Sequence, residues 1–167
     1  MTDVAALNTL SEGDLQAAFE RCCGAATWVR AMIAAAPFPD EAYLRRAADD
    51  AFAQLAPSDW LQAFAHHPRI GDVSRLRERF AASGVLSEKE QGSAMATANE
   101  AVIQRLFELN QSYETRHGHI FIVCASGKSA AEMLALLEAR VDLDLATERD
   151  NCAAEQAKIT HLRLGAL

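Results

Sequence analysis

Only one stretch of this chain, Ile120-Phe121-Ile122-Val123-Cys124, has the composition of a β-strand. A single strand has no neighbour to satisfy its backbone N–H and C=O groups, so a sheet cannot be the framework and the run reads as a buried extended connector. Elsewhere apolar residues recur at helical spacing, bounded by residues that start and stop helices. Ser11 with Asp14 opens the first such segment, Leu10 is placed to staple onto Leu15, and Gly24 is the expected terminator. A second helix covers about residues 25–35 and breaks at Pro37-Phe38-Pro39. Asp40 caps a third, carrying Leu44, Ala47, Ala48, Ala51, Phe52 and Leu55 on one face. Pro57 and Ser58 start a fourth, short helix with Trp60, Leu61 and Phe64, and Asp72 caps a fifth over 73–82. Ser87-Glu88-Lys89-Glu90 opens a long sixth with Met95, Ala98, Val102, Leu106, Leu109 and Tyr113 on its stripe and Gly118 at its end. Ser129 with Glu132 opens another, and a last helix runs over about 144–164 with Leu145, Cys152, Ile159 and Leu162 inward. The pattern predicts an all-α single domain over 1–167, a bundle of about seven to nine helices with one short buried extended segment.

Charge narrows the partners. A formal net charge of -7 disfavours nucleic acid, which is held mainly by clustered Lys and Arg, and points to a small molecule or a protein. No apolar run is long enough to span a membrane, and Met1-Thr2-Asp3 lacks the basic start of a secretory signal. Cys22, Cys23, Cys124 and Cys152 lie within apolar periodic segments, as expected of reduced thiols in the cytoplasm. No C-x-x-C or H-E-x-x-H spacing occurs, so no metal site is expected.

Chemistry concentrates at His66-His67-Pro68-Arg69-Ile70-Gly71-Asp72. Pro68 fixes its own φ and keeps His67 out of the helical region, so His67 stands on a rigid elbow where an imidazole can exchange protons near neutral pH. The same residues also describe a plain helix-stop loop. Glu90 is explained as the third position of a capping box, yet Ser87, Glu90 and Gln91 together offer donors and acceptors to a polar ligand. Arg163, near the end of the last helix, reads either as a partner for that helix's C-terminal dipole or as a guanidinium held near the core by Leu162 and Leu164. Gly127-Lys128-Ser129 has the setting of a phosphate-binding loop, but the earlier glycine that loop needs is Ile122.

Five separated blocks carry a resemblance: His67-Pro68 with Gly71, Ser87-x-x-Glu90-Gln91, Asn110-x-x-Tyr113, Gly118-x-x-Phe121-Ile122-Val123, and Lys158-Ile159-x-x-Leu162-Arg163-Leu164. In this order, with Trp28 and Pro37-Phe38 earlier, the chain resembles the OHCU decarboxylase family, which acts on 2-oxo-4-hydroxy-4-carboxy-5-ureidoimidazoline in urate breakdown. The resemblance implies an all-helical, cofactor-independent, homodimeric enzyme forming (S)-allantoin. It further implies that His67, Glu90 and Arg163 are catalytic. Pro68, the segment Ser87, Glu88, Lys89 and Gln91, and the segment His119, Ile120, Phe121, Ile122 and Val123 would bind substrate. The chain departs from the family where His117 and His119 stand in place of phenylalanines and where Arg69 follows the His-Pro pair in place of an acidic residue. Two other readings of the elbow remain. One is a helical interaction module built on Trp60, Phe64 and the His-Pro turn; the other is a metal-dependent hydrolase using His66, His67 and Asp72.

Overall fold

The computed structural model describes residues 2–69, 73–82 and 93–167. Among the described residues there are nine helices and no strand, so the chain is all-α. They divide into two compact units, the first comprising Met1–His67, Ile122–Cys124 and Arg149–Leu167, the second Pro68–Phe121 and Ala125–Glu148.

The first unit holds α1 (Val4–Leu7), α2 (Glu12–Cys22), α3 (Ala26–Ala34), α4 (Glu41–Phe52), α5 (Pro57–Ala65) and all but the first turn of α9 (Leu145–Leu164). Their starts follow local chemistry. The Ser11 hydroxyl accepts from the Asp14 N–H at 3.2 Å, and the Asp40 carboxylate accepts from the Tyr43 N–H at 2.6 Å. Pro57 occupies the first turn of α5, while Asp59 reaches back to the Ala56 N–H at 2.9 Å. Phe19, Trp28, Met32, Phe38, Leu44 and Phe64 fill the core. The Trp28 ring meets Phe19 edge-on at 5.9 Å and stacks on Phe52 at 5.5 Å, and its indole N–H donates to the Ala48 carbonyl at 3.2 Å.

Three expectations change here. Gly24 does not cap α2, because Cys23 with φ −147° already ends it. Leu55 falls beyond the end of α4. Leu145 and Leu162, expected inward, are 61% and 56% exposed. The buried row of α9 is instead Glu148, Cys152, Gln156, Thr160 and Leu164, spaced four apart. Three of those five are polar, so a search for apolar periodicity finds the wrong face.

The second unit holds α6 (Val73–Ala82), α7 (Ser93–His117) and α8 (Ala130–Arg140), with α7 packed against both others. Ile103, Leu106, Leu109 and Tyr113 form the buried stripe of α7; the side chains of Met95 and Ala98 lie outside the described residues. Gly118, at φ +75°, ends α7 in the left-handed conformation that glycine adopts most cheaply. Ser129 and Glu132 exchange both bonds of a capping box at the start of α8, at 3.2 and 2.8 Å. Residues 120–125 take no regular secondary structure. Of them Ile122 is buried and the others are half-buried, so the structure does not confirm the short buried extended segment the composition suggested.

Candidate active site

His67 sits where α5 stops. His66 keeps helical angles as the C-cap, and the N–H groups of His66 and His67 close the turn on the carbonyls of Ala63 and Phe64 at 3.2 Å each. Pro68 follows and prevents another helical turn. The His67 imidazole is half-buried, whereas His66 is exposed. A Cβ on Gly24 would lie 2.3 Å from the His66 Cβ, so residue 24 has no side chain because the elbow presses against the chain between α2 and α3. Gly24→Ala is therefore expected to push the His66-His67 turn aside. We expect a loss of about 1–3 kcal/mol of stability together with slower turnover, read by thermal melts and rate measurements. An unchanged melt and rate would mean that the turn relaxes freely.

Helix α9 supplies the partners of this elbow. His67 Nε2 lies 2.6 Å from Gln156 Oε1, and the Gln156 amide nitrogen donates to the Thr160 hydroxyl at 3.2 Å. Thr160 in turn reaches the carbonyls of Gln156 at 2.9 Å and Cys22 at 3.3 Å. Arg163 Nη1 donates to Cys22 O at 3.2 Å and Arg21 O at 3.3 Å, which places its charge at the negative end of α2. Nε and Nη2 of Arg163 take no partner among the described residues. Burial pushes the His67 pKa below the usual imidazole range; the Gln156 hydrogen bond opposes this, and the charges of Arg163 and His66 add to it. Burial also raises the Cys22 thiol to about 11, so it stays protonated and is a poor nucleophile. No disulfide joins any of the four cysteines.

Of the segment expected to bind substrate, Ile122 and Val123 belong to the same unit as His67 and Arg163. The residue after them, Cys124, donates its N–H to the Glu155 carboxylate at 2.7 Å. Residues 155, 156, 160 and 163 of α9 thus anchor the 122–124 stretch, the imidazole and the end of α2. No apolar pattern marks Glu155, Gln156 and Thr160, which is why reading the sequence missed them.

Pro68, His119, Ile120 and Phe121 belong to the second unit. Arg69, beside Pro68, pairs with Glu114 at 2.7 Å. His119 Nδ1 lies 3.0 Å from the Ile120 carbonyl, and burial holds the pKa of this imidazole down, opposed by that hydrogen bond. Phe121 is gripped on two sides: Tyr113 meets it edge-on at 5.2 Å, and the Arg140 guanidinium lies 4.6 Å from its ring centroid. Arg140 forms a buried fork with Glu148, with Nε at 3.0 Å from both carboxylate oxygens and Nη2 at 2.6 Å from one, and the Tyr113 hydroxyl donates to the same carboxylate. This support was also absent from the sequence reading.

Ser87, Glu88, Lys89, Glu90 and Gln91, with Ile70, Gly71 and Asp72 of the elbow, lie outside the described residues. Among the described residues no group of three or more His, Cys, Asp or Glu could hold a metal ion, and no helix is long and apolar enough to cross a membrane.

Residues 8–165 match the sequence profile of the family described as OHCU decarboxylase. The uric acid degradation bifunctional protein TTL of Arabidopsis thaliana is 37% identical over 148 residues, which are 87% of this chain and 45% of that protein, so the chain spans less than half of this relative. A 2-oxo-4-hydroxy-4-carboxy-5-ureidoimidazoline decarboxylase of Haloferax volcanii is 27% identical over 129 residues, 77% of this chain and 73% of that one. The crystal structure of an OHCU decarboxylase in the presence of (S)-allantoin superposes with a TM-score of 0.69 at 31% identity, covering 89% of this chain and 94% of that chain. An (S)-allantoin synthase shares the fold at 17% identity, with a TM-score of 0.69 over 98% of this chain and 53% of its own. With a profile match across nearly its whole length and its His-Pro elbow at the end of a helix, the chain belongs to the OHCU decarboxylase family.

Proposed function

We propose that this chain is a carboxy-lyase that converts 2-oxo-4-hydroxy-4-carboxy-5-ureidoimidazoline to (S)-allantoin in urate catabolism. It would act without a cofactor, as one catalytic domain over 1–167, in a cytoplasmic homodimer. The observation that carries this reading is the His67 imidazole, held half-buried on a non-helical elbow with its pKa lowered, in a chain of this family.

The substrate's carboxylate and hydroxyl share a ring carbon next to a ring C=N bond. When CO2 leaves, the C–C bonding pair forms a C=C bond within the ring, and the former imine nitrogen takes a proton. The substrate thus supplies its own electron sink. The enol that results becomes allantoin when the hydroxyl proton is lost and the neighbouring carbon, which carries the ureido arm, gains one. A neutral His67 is suited to accept the first proton and donate the second, and delivery to one face yields one enantiomer. Glu90 would hydrogen-bond the substrate hydroxyl or ureido N–H groups, or His67 itself. Ser87, Glu88, Lys89 and Gln91 would bind the polar edges of the substrate, with Pro68 and the backbone of His119, Ile120, Phe121, Ile122 and Val123. Arg163 keeps Nη2 and Nε for a substrate carbonyl. A tight ion pair with the departing carboxylate would stabilise the ground state and slow the reaction.

Circular dichroism of urate with urate oxidase and hydroxyisourate hydrolase, with and without this protein, tests the proposal. The expected trace shows rapid (S)-allantoin ellipticity. A trace matching spontaneous racemic decay would overturn it and leave the interaction-module reading in front.

A further inference from the structure

We propose that Gln156 is a positioning residue that holds His67 as its Nε2–H tautomer and so makes Nδ1 the nitrogen that exchanges protons with substrate. The inference rests on the role given to His67 above.

Gln156 is fully buried on α9, a position where an apolar side chain would continue the row of Cys152 and Leu164. A buried amide must satisfy both of its ends. Its nitrogen donates to Thr160 Oγ1, and the Thr160 hydroxyl has carbonyl acceptors in Gln156 and Cys22. Hydrogen bonds along this chain therefore all run one way. The amide oxygen is left facing His67 Nε2 at 2.6 Å, and an oxygen can only accept. The proton on the imidazole must then sit on Nε2. Nδ1 takes no hydrogen bond from any described residue and carries the free lone pair. The other charged and titratable groups acting on this ring are Arg163, from the same helix, and His66, from the elbow. Neither accepts a proton from Nε2, so the direction of the bond is left to Gln156. A ring fixed in one tautomer presents one basic atom in one orientation, as an outer partner does for a catalytic or metal-bound histidine.

The experiment uses the full chain with 15N-labelled imidazoles, comparing wild type with Gln156→Leu, Gln156→Glu and Thr160→Val. His67→Asn assigns the signal. In wild type, above the acid limb, long-range proton–nitrogen correlations are expected to show His67 protonated on Nε2. Gln156→Leu removes the acceptor, so His67 should move toward a mixture of tautomers and kcat should fall roughly 10–100-fold with little change in KM. Gln156→Glu keeps an acceptor at the same place. It should preserve the Nε2–H signal, restore much of the rate, and move the acid limb of the pH profile upward. Thr160→Val keeps Gln156 but removes the oxygen that orients its amide, which gives a second route to a mixed tautomer should the leucine variant not fold. A wild-type His67 protonated on Nδ1, or an unchanged tautomer and kcat in Gln156→Leu or Thr160→Val, would overturn the proposal. A wild-type protein that shows the Nε2–H signal, loses it in Gln156→Leu and forms no (S)-allantoin would uphold the tautomer lock while overturning the functional reading beneath it.

Discussion

His67→Asn is expected to lower kcat/KM by about 10²–10⁴-fold, the range over which a positioned general acid–base acts, while stability falls by no more than about 1–3 kcal/mol, the cost of taking the imidazole donor from the buried Gln156 oxygen. Asparagine keeps a hydrogen-bonding group on the elbow but cannot exchange a proton near neutral pH. The imidazole is only half-buried, and the turn is closed by backbone bonds from His66 and His67 that the substitution leaves in place, so little packing is lost. The pH dependence has a definite sign. On the proposed role a neutral imidazole is the active form, and burial pulls its folded-state pKa below the ordinary value of 6.5, so the acid limb of kcat/KM should lie below that value and vanish in the variant. Stability follows the same linkage. Between the lowered folded value and 6.5 the unfolded chain binds more proton than the folded one, so this group's contribution is complete above 6.5 and is lost as pH falls through the folded pKa. Rates from stopped-flow absorbance and (S)-allantoin ellipticity check the first part, and urea melts at several pH values check the second. A variant with wild-type rate would remove His67 from the chemistry.

What could be read from sequence was set by distance along the chain. Ser11, Asp40, the Ser129 and Glu132 pair and the Gly118 terminator act on backbone groups within four residues, and each does in the structure what its spacing foretold. Gly24 shows where that ends. Local rules make a glycine after a helical stripe a terminator, but its cause is the approach of His66, 42 positions later. α9 shows a second limit. Periodicity of apolar residues assumes that the buried face is the greasy one, whereas this helix buries Glu148, Gln156 and Thr160 and leaves Leu145 and Leu162 in solvent. Each buried polar group is satisfied by a partner remote in sequence, Gln156 by His67 at a separation of 89 residues, and no local pattern encodes such pairings. The elbow was legible for the opposite reason: Pro68 restricts its neighbour directly, whatever the tertiary contacts. Arg163 was readable only as two alternatives, and the structure shows a third arrangement, with one nitrogen on the C-terminus of α2, a helix other than its own, and the side chain half-buried.

Arg140→Met should cost about 3–5 kcal/mol of stability, because it strands a fully buried carboxylate. Glu148 accepts from Arg140 at three nitrogen–oxygen contacts and from the Tyr113 hydroxyl, and the substitution takes the guanidinium of this buried fork away from it. Against a total stability on the order of 5–15 kcal/mol for a domain, that loss is large, and urea unfolding should show it as a lower midpoint at constant slope. Removing both charges should hurt less. Arg140→Met combined with Glu148→Leu takes away the stranded ion along with its partner, and the pair should recover most of the loss, since the cost lies in the unpaired charge more than in the missing attraction. The functional consequence separates from the stability one. Arg140 also covers one side of Phe121, so the double variant, although folded, loses the guanidinium from that ring and keeps the edge-on contact with Tyr113. If His119, Ile120 and Phe121 bind substrate as proposed, KM should rise in the folded double variant while the His67-dependent acid limb stays where it was. An Arg140→Met midpoint within error of wild type would show that Glu148 escapes burial or takes up a proton. A double variant with wild-type KM would show that the grip on Phe121 serves the fold and not the ligand.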